Sequence, residues 1–492
     1  MLTNLFAYNR WKIPSAFSIV QDGYKLVEDG DLDKGLRLIH DFVDRIITEP
    51  LCTAQVFGYK ELDKLCQRIG KESLATIKHP KKDAKNSDVG QVFVYIVTKL
   101  QKSGGLRQVI ANLIKAYPRA HHIILSTELE GKSDLGNMVT GSAIKADVSF
   151  RKAPQLSYLQ KLTWLQENLL KINPQKAYLL NHHQDSVAVA AIQDEMGIEA
   201  SFYHHGDHHL CLGIYLTHIE HVDLHPMGYH YCRNVLGIKN TYVPLVVEDQ
   251  GPRPVEWPFR DEGELTTCTA ARSNKVDVPY FVKYFEMIPR LLKTTNGRHV
   301  HIGRLHPWTL FKIRRRLKRH GIPPDRFIYT PWVPSVWKSL LEYRIDLYIA
   351  SFPYGGGLTL IEAMGAGVPV ALHMHIFSRV LSGLDLAYPE AFAWRFPDEL
   401  LNYCGSVTAG MLREAGRLGR RQYEEFHRPD VLKSLLLGDA SVLPKPKNVS
   451  DRFAAEPMEW ALWMEQQMNI KNILYRSTYR LFRRFRARLH LN

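Results

Sequence analysis

Nothing in this sequence approaches the ~18 consecutive apolar residues that a membrane-spanning helix needs. The longest apolar run, Val92–Val97, is of strand length. The opening MLTNLFAYNRWKIPSAF lacks the apolar core of a signal peptide. Six cysteines (52, 66, 211, 232, 268 and 404) are scattered without a C-x-x-C pair. That pattern excludes a disulfide framework and a zinc ribbon, and suits thiols in a reducing cytosol. G-x-G-x-x-G, internal repeats and low-complexity tracts are all missing. Acid is the scarcer charge, with Asp+Glu 50 against Lys+Arg 64, so 64 − 50 = +14. The excess favours anionic partners such as nucleotide sugars, membranes or nucleic acid. No nucleic-acid-binding motif accompanies it, so no nucleic-acid partner is assigned.

What is present is ordinary globular composition, 45% hydrophobic and 23% charged, on a chain long enough for about three domains. Its most informative stretch is Ser351 to Leu372, SFPYGGGLTLIEAMGAGVPVAL. The β-rich run before it suits a buried parallel strand. Gly355, Gly356 and Gly357 make a loop, Leu358 to Met364 fits two helical turns, and Gly365 and Gly367 end them before a further strand. A glycine loop feeding a helix N-terminus is an anion site, and a diphosphate suits it. Glu362, one turn in, could take the hydroxyls of a ribose. The competing reading is that Thr359-x-x-Glu362 is a capping box, which merely closes the helix end.

The remaining pattern is α/β. Residues 1 to 85 read as a helical region, followed by a polar, basic linker. From Val92, strands alternate with helices, and Gly104-Gly105 follows the first strand. Two successive strands deliver histidines to their C-terminal ends: Asn181-His182-His183, then His204-His205-Gly206-Asp207-His208-His209. In open α/β sheets ligands bind at that edge. The histidines read as plain loop residues, as metal ligands together with Asp207, or as acid–base and hydrogen-bonding groups for a polar substrate. No helical His-x-x-x-His frames a metal, and no metal ligand is assigned. Residues 249 to 254, DQGPRP, read as the main hinge. Val222 to Leu236 reads as helix with loop, and Leu386 to Tyr403 as helical. The expected domains are therefore 1–85, 86–250, 251–437 and 438–492, the last a connector and an arginine-rich helix.

From about residue 90 to 430 the chain resembles the GT-B glycosyltransferases, in which two Rossmann-like domains face a cleft. Phe352-Pro353-Tyr354-Gly355-Gly356-Gly357-Leu358-Thr359-Leu360-Ile361-Glu362-Ala363-Met364 with Gly367-Val368-Pro369-Val370 is similar to the donor loop of glycosyltransferase family 41. That family holds the protein O-GlcNAc transferases and, more distantly, the bacterial protein N-glucosyltransferases. Phe377-Ser378-Arg379-Val380 resembles the SRV segment that follows the loop there, and Asn274-Lys275 resembles the site of a diphosphate-binding lysine. Departures are Glu362 where the family usually has Asp, Leu358-Thr359 in place of paired threonines, and no tetratricopeptide array. Tyr354 stands where family 4 has the first of its two glutamates.

The resemblance implies a donor site in which Gly356, Gly357, Leu358 and Thr359 present N–H groups, and Thr359 its hydroxyl, to a diphosphate. Lys275 and Arg272 would add positive charge, and Glu362 would hold the ribose. His205, Asp207 and His208 would serve as catalytic groups on the acceptor side. The implied reaction moves a hexose or N-acetylhexosamine from a nucleoside diphosphate sugar, expected to be UDP-linked, to a surface glycan, lipid-linked glycan or protein. It needs no cofactor and no metal; inverting and retaining outcomes both stay open. A catalytically silent GT-B-like subunit that steadies a partner enzyme is the alternative. The expected location is cytoplasmic, with the basic helix of residues 472–491 lying on anionic lipid at the inner membrane face or packing back on the first domain.

Overall fold

The computed structural model describes residues 14–49, 52–78, 90–101, 104–134, 146–206, 208–260, 263–438, 445–447 and 456–489. The linker read around residues 79–86 and most of the 438–447 connector lie outside them. The chain divides into two compact units: residues 1–224, 228–243 and 470–492, and residues 225–227 and 244–469.

The first unit is built on seven parallel strands: β1 (Val92–Val97), β2 (His121–Ser126), β3 (Asp147–Lys152), β4 (Lys176–Leu180), β5 (Ala200–His204), β6 (Glu220–Asp223) and β7 (Asn240–Tyr242). Their order is β3-β2-β1-β4-β5-β6-β7. The second unit holds six: β8 (Thr267–Ala270), β9 (His299–Ile302), β10 (Phe327–Thr330), β11 (Leu347–Ile349), β12 (Val370–His373) and β13 (Phe392–Trp394). These run β10-β9-β8-β11-β12-β13 and are also parallel. Both are doubly wound sheets, as the alternating pattern predicts. The order reverses between β1 and β4 in one sheet and between β8 and β11 in the other. At such points loops diverge from adjacent strand ends and leave room for a ligand.

Two strands differ from the sequence reading. β6 overlaps the start of a stretch read as helix with loop, and β13 falls in one read as helical. Both are short edge or near-edge strands, in which four or three residues cannot display a period. The expected hinge is also different. The Arg253 N–H donates to Ala366 O at 2.8 Å, and its guanidinium donates to Ile345 O at 2.8 Å and Pro258 O at 2.6 Å. Residues 249–254 are thereby packed within the second unit.

The N-terminal helices Leu32–Ile47 and Lys60–Ala75 lie against the first sheet's helices rather than apart from them. Buried Asp63 accepts from the N–H groups of Gly213 and Tyr215 at 2.8 and 2.9 Å. Gln67 donates to Val189 O at 2.7 Å, and Ser186 donates to Leu36 O at 2.8 Å. The C-terminal helix Ile470–Leu489 groups with this unit. It keeps Leu474, Tyr475 and Leu481 exposed. No helix among the described residues is long and apolar enough to cross a membrane.

The core of the second unit buries histidines beside tyrosines. Tyr284 Oη lies 2.9 Å from His299 Nε2 and 2.6 Å from His301 Nδ1, and His373 Nε2 is 2.9 Å from Tyr280 Oη. Burial holds His299 and His373 down to about 3, and His301 and His427 down to about 4. These groups stay neutral in the folded unit while the unfolded chain charges below about 6.5. Their stability contribution is full above 6.5 and is lost as pH falls toward 4, each by up to about 2 kcal/mol at pH 5. Glu362 in the same unit is raised by burial to about 7 and pulls the other way, with Asp277 and Asp346 also raised. Four histidines outweigh them, so the melting temperature of the second unit should fall between pH 7 and pH 5. Calorimetry across that window checks it, and a flat or rising profile contradicts it.

Candidate functional site

In the second unit β11 runs out through Ala350 and Ser351 into the glycine loop, and the helix Gly357–Gly365 begins with Gly356 as its N-cap. No side chain caps it, and Leu360 N–H donates to Gly356 O at 3.0 Å. The amides of Gly357, Leu358 and Thr359 therefore precede the first helical bond and point out of the helix end. The capping-box reading fails here, because Thr359 is already the third helical residue. Its hydroxyl accepts from Tyr348 Oη at 3.0 Å and donates to Gly356 O at 3.1 Å. In this conformation Thr359 offers an anion its amide rather than its hydroxyl.

The loop after β8, next to β11 at the reversal of strand order, supplies the cation. Lys275 Nζ donates to Gly355 O, and Tyr354 N–H reaches back to Lys275 O at 3.4 Å. A Cβ on Gly356 would come within 2.6 Å of Thr359 Oγ1 and 3.4 Å of Lys275 Nζ, so the close approach requires glycine. Burial of the ammonium depresses Lys275 to about 8. An ammonium carries three donors, so Gly355 O leaves two for a ligand. Arg272 is exposed at the N-cap of Ser273–Val276, in the same loop. The Glu362 carboxyl is raised to about 7 by burial, against the lowering effect of the Trp337 backbone N–H. The structure thus gathers Lys275, Gly356, Gly357, Leu358 and Thr359 at one helix end, with Glu362 one turn along and Arg272 on the adjoining loop.

In the first unit the reversal lies at β1 and β4. Asp185 N-caps Ser186–Ala191 through the Ala188 N–H. It also accepts from Thr98 at 2.6 Å and Thr127 at 2.7 Å, tying together the loops after β1, β2 and β4. His183, His208 and His209 meet with ring centroids 4.8–5.8 Å apart. His183 is held well below the usual histidine range, by burial first and then by the imidazoles around it. A Cβ on Gly206 would strike the His183 ring at 2.6 Å. His205 Nε2–H donates to the Asn181 carbonyl at 2.7 Å. A carbonyl can only accept, so the proton is on Nε2 and Nδ1 is the basic nitrogen. The N-terminal region braces this loop: Ala54 N–H donates to His208 O at 2.9 Å, and Cys211 N–H to Phe57 O at 2.8 Å. His205 and His208 are thus on one loop beside His183; Asp207 lies outside the described residues.

No protein-family profile and no curated protein sequence matches this chain. Solved structures do. HepE of Anabaena, solved with UDP and glucose, superposes with a TM-score of 0.52 at 11% identity, covering 71% of this chain and 99% of its own. A glycosyltransferase from Rickettsia africae superposes at 0.53 with 14% identity, covering 73% and 100%. The chain has the GT-B fold. At these identities the likeness carries the fold alone.

One feature of this GT-B chain escaped the sequence reading. His225 Nδ1 lies 3.0 Å from Asp385 Oδ2, and Asp385 is fully buried. A Cβ on Gly357 would be 3.9 Å from the His225 ring and 3.2 Å from Leu386. A carboxylate-oriented imidazole therefore stands beside the first residue of the loop helix. The two partners are 160 positions apart, and no local spacing could have paired them.

Proposed function

We propose that this chain is a glycosyltransferase that moves a hexose or N-acetylhexosamine from a UDP-linked sugar to a glycan, lipid-linked glycan or protein acceptor. The observation that carries the reading is the uncapped helix end at Gly356 with the Lys275 ammonium bonded to the loop ahead of it. Amides of Gly357, Leu358 and Thr359 and the Lys275 ammonium would take the diphosphate and stabilise charge as it leaves. Arg272 adds to the positive field. This scheme calls for no metal ion at the diphosphate, and turnover independent of added magnesium or manganese is its check. The Glu362 carboxylate would accept the ribose hydroxyls. The UDP complex of the GT-B neighbour HepE supports the choice of base. His205 is assigned the acceptor proton through Nδ1, with His208 beside it; if the reaction retains, they bind sugar hydroxyls instead.

The test is UDP release from a panel of UDP-sugars by the purified chain, with and without acceptor. Release above background from one sugar supports the reading. None from any sugar, with the fold intact, overturns it in favour of a silent subunit.

Glu362→Ala should raise the donor Michaelis constant about tenfold or more, with only a small fall in melting temperature from the lost contact to the Trp337 N–H, since the carboxyl does not cap its own helix. A lowered melting temperature with unchanged Michaelis constant would contradict this. Donor affinity should also depend on pH. Ionisation of Glu362 strengthens hydroxyl acceptance as pH rises through about 7, and loss of the Lys275 proton weakens diphosphate binding above about 8. Affinity for UDP should peak between those values, and titrations from pH 6 to 9 would reveal it.

A further inference from the structure

Away from the glycine loop, the first unit holds a second chemical cluster. His204 ends β5, His221 and Asp223 lie on β6, and Cys232 is on the helix Pro226–Asn234. All four are buried, at 1%, 3%, 0% and 1% exposure. One ligand atom from each falls within 4.8 Å of the others. His204 Nδ1 is 2.9 Å from Asp223 Oδ1, and Cys232 Sγ is 3.6 Å from His204 Nδ1 and 3.5 Å from Asp223 Oδ1. His221 Nε2 is 3.3 Å from Asp223 Oδ2.

We propose that His204, His221, Asp223 and Cys232 form a structural site for a divalent transition metal of the zinc class. Bonds of roughly 2.0–2.3 Å in a tetrahedron place ligand atoms roughly 3.3–3.7 Å apart. Four of the separations, 2.9–3.6 Å, bracket that spacing, and all the ligand atoms lie within 4.8 Å of one another, so small side-chain rotations close the set. Two imidazoles, a carboxylate and a thiol make a borderline-soft N₂OS set, which suits zinc better than magnesium or calcium. Charge argues the same way. A divalent ion with one thiolate and one carboxylate is neutral overall, the least costly state for a group wholly removed from water.

His221 supplies an independent observation. The residue is buried, its Nδ1 has no hydrogen-bond partner, and Nε2 meets only the Asp223 carboxylate, at 3.3 Å. A metal on Nε2 would use that lone pair. The carboxylate is already oriented: Asn240 Nδ2 donates to Asp223 Oδ2 at 2.6 Å, the kind of outer contact that aims a metal ligand. The site would pin the ends of β5 and β6 to the helix behind them, directly ahead of the His205–Gly206 turn. Its role is to hold that turn, not to enter the transfer reaction.

Metal content and spectroscopy of the full chain decide the matter. Protein purified without chelators should carry about one zinc per chain. Cobalt-exchanged protein should show a thiolate-to-cobalt charge-transfer band. Cys232→Ser should abolish that band, and His221→Asn should lower metal occupancy several-fold. His183→Asn, in the neighbouring histidine group, should leave both unchanged. A wild-type chain that takes up neither zinc nor cobalt overturns the proposal whatever the variants do. So does bound cobalt without a thiolate band, or a band that survives Cys232→Ser, or metal lost on His183→Asn but retained in His221→Asn.

Discussion

Lys275→Ala should lower transfer by about 10²–10³-fold, the usual loss when one preorganised group facing a developing charge is removed. Lys275 lies on the loop after β8, adjacent to β11 where the strand order reverses, and its ammonium is bonded to the glycine loop at Gly355 O. It therefore sits at the helix end whose amides have no helical partner. Burial depresses it to about 8, and the negative charge of a diphosphate beside it would offset that desolvation cost. Lys275→Arg should not rescue fully, because a planar guanidinium is bulkier than the ammonium that fits beside Gly356. Turnover and donor Michaelis constant with UDP-sugar, measured for both variants, check this. A change below threefold in both would remove Lys275 from the site.

His205→Ala should lower turnover by about 10²–10⁴-fold, the range for a positioned general base, and leave UDP affinity unaltered. The tautomer makes the case. The Asn181 carbonyl at 2.7 Å fixes the proton on Nε2 and leaves Nδ1 as the base. His183 is a poorer choice, since burial among other imidazoles holds it well below the physiological range. His208→Ala, on the same loop, separates chemistry from scaffolding: a smaller loss there than at His205 is expected. If His205→Ala transfers sugar at the wild-type rate, the acceptor proton goes elsewhere, and the His225–Asp385 pair becomes the group to test.

The doubly wound architecture was legible because buried parallel strands such as Val92–Val97 are continuous apolar runs and their loops carry glycine. The donor loop was legible for the same local reason, since strand, Gly-Gly-Gly, helix and turn follow one another within Ser351–Leu372. What escaped was set by tertiary contact. β6 and β13 are too short for periodicity, and their identity comes from pairing with β5 and β12. The Thr359–Glu362 spacing permits a capping box, yet extended Gly356 is the N-cap and the helix starts at Gly357, three residues earlier than a Thr359 cap would set it. The 249–254 segment has hinge composition, but Arg253 reaches Ile345 O and Pro258 O and locks it. His225 with Asp385, and His204 with His221, Asp223 and Cys232, are assembled from separate elements, and no spacing along the chain announces them.

Titration calorimetry of UDP into the full chain tests most directly whether the glycine loop is a nucleoside diphosphate site. Saturable one-to-one binding near pH 7.5 is expected, weakened at least tenfold by Lys275→Ala and unaffected by His205→Ala. Absence of binding by the folded wild-type chain, or binding that Lys275→Ala leaves intact, would contradict it.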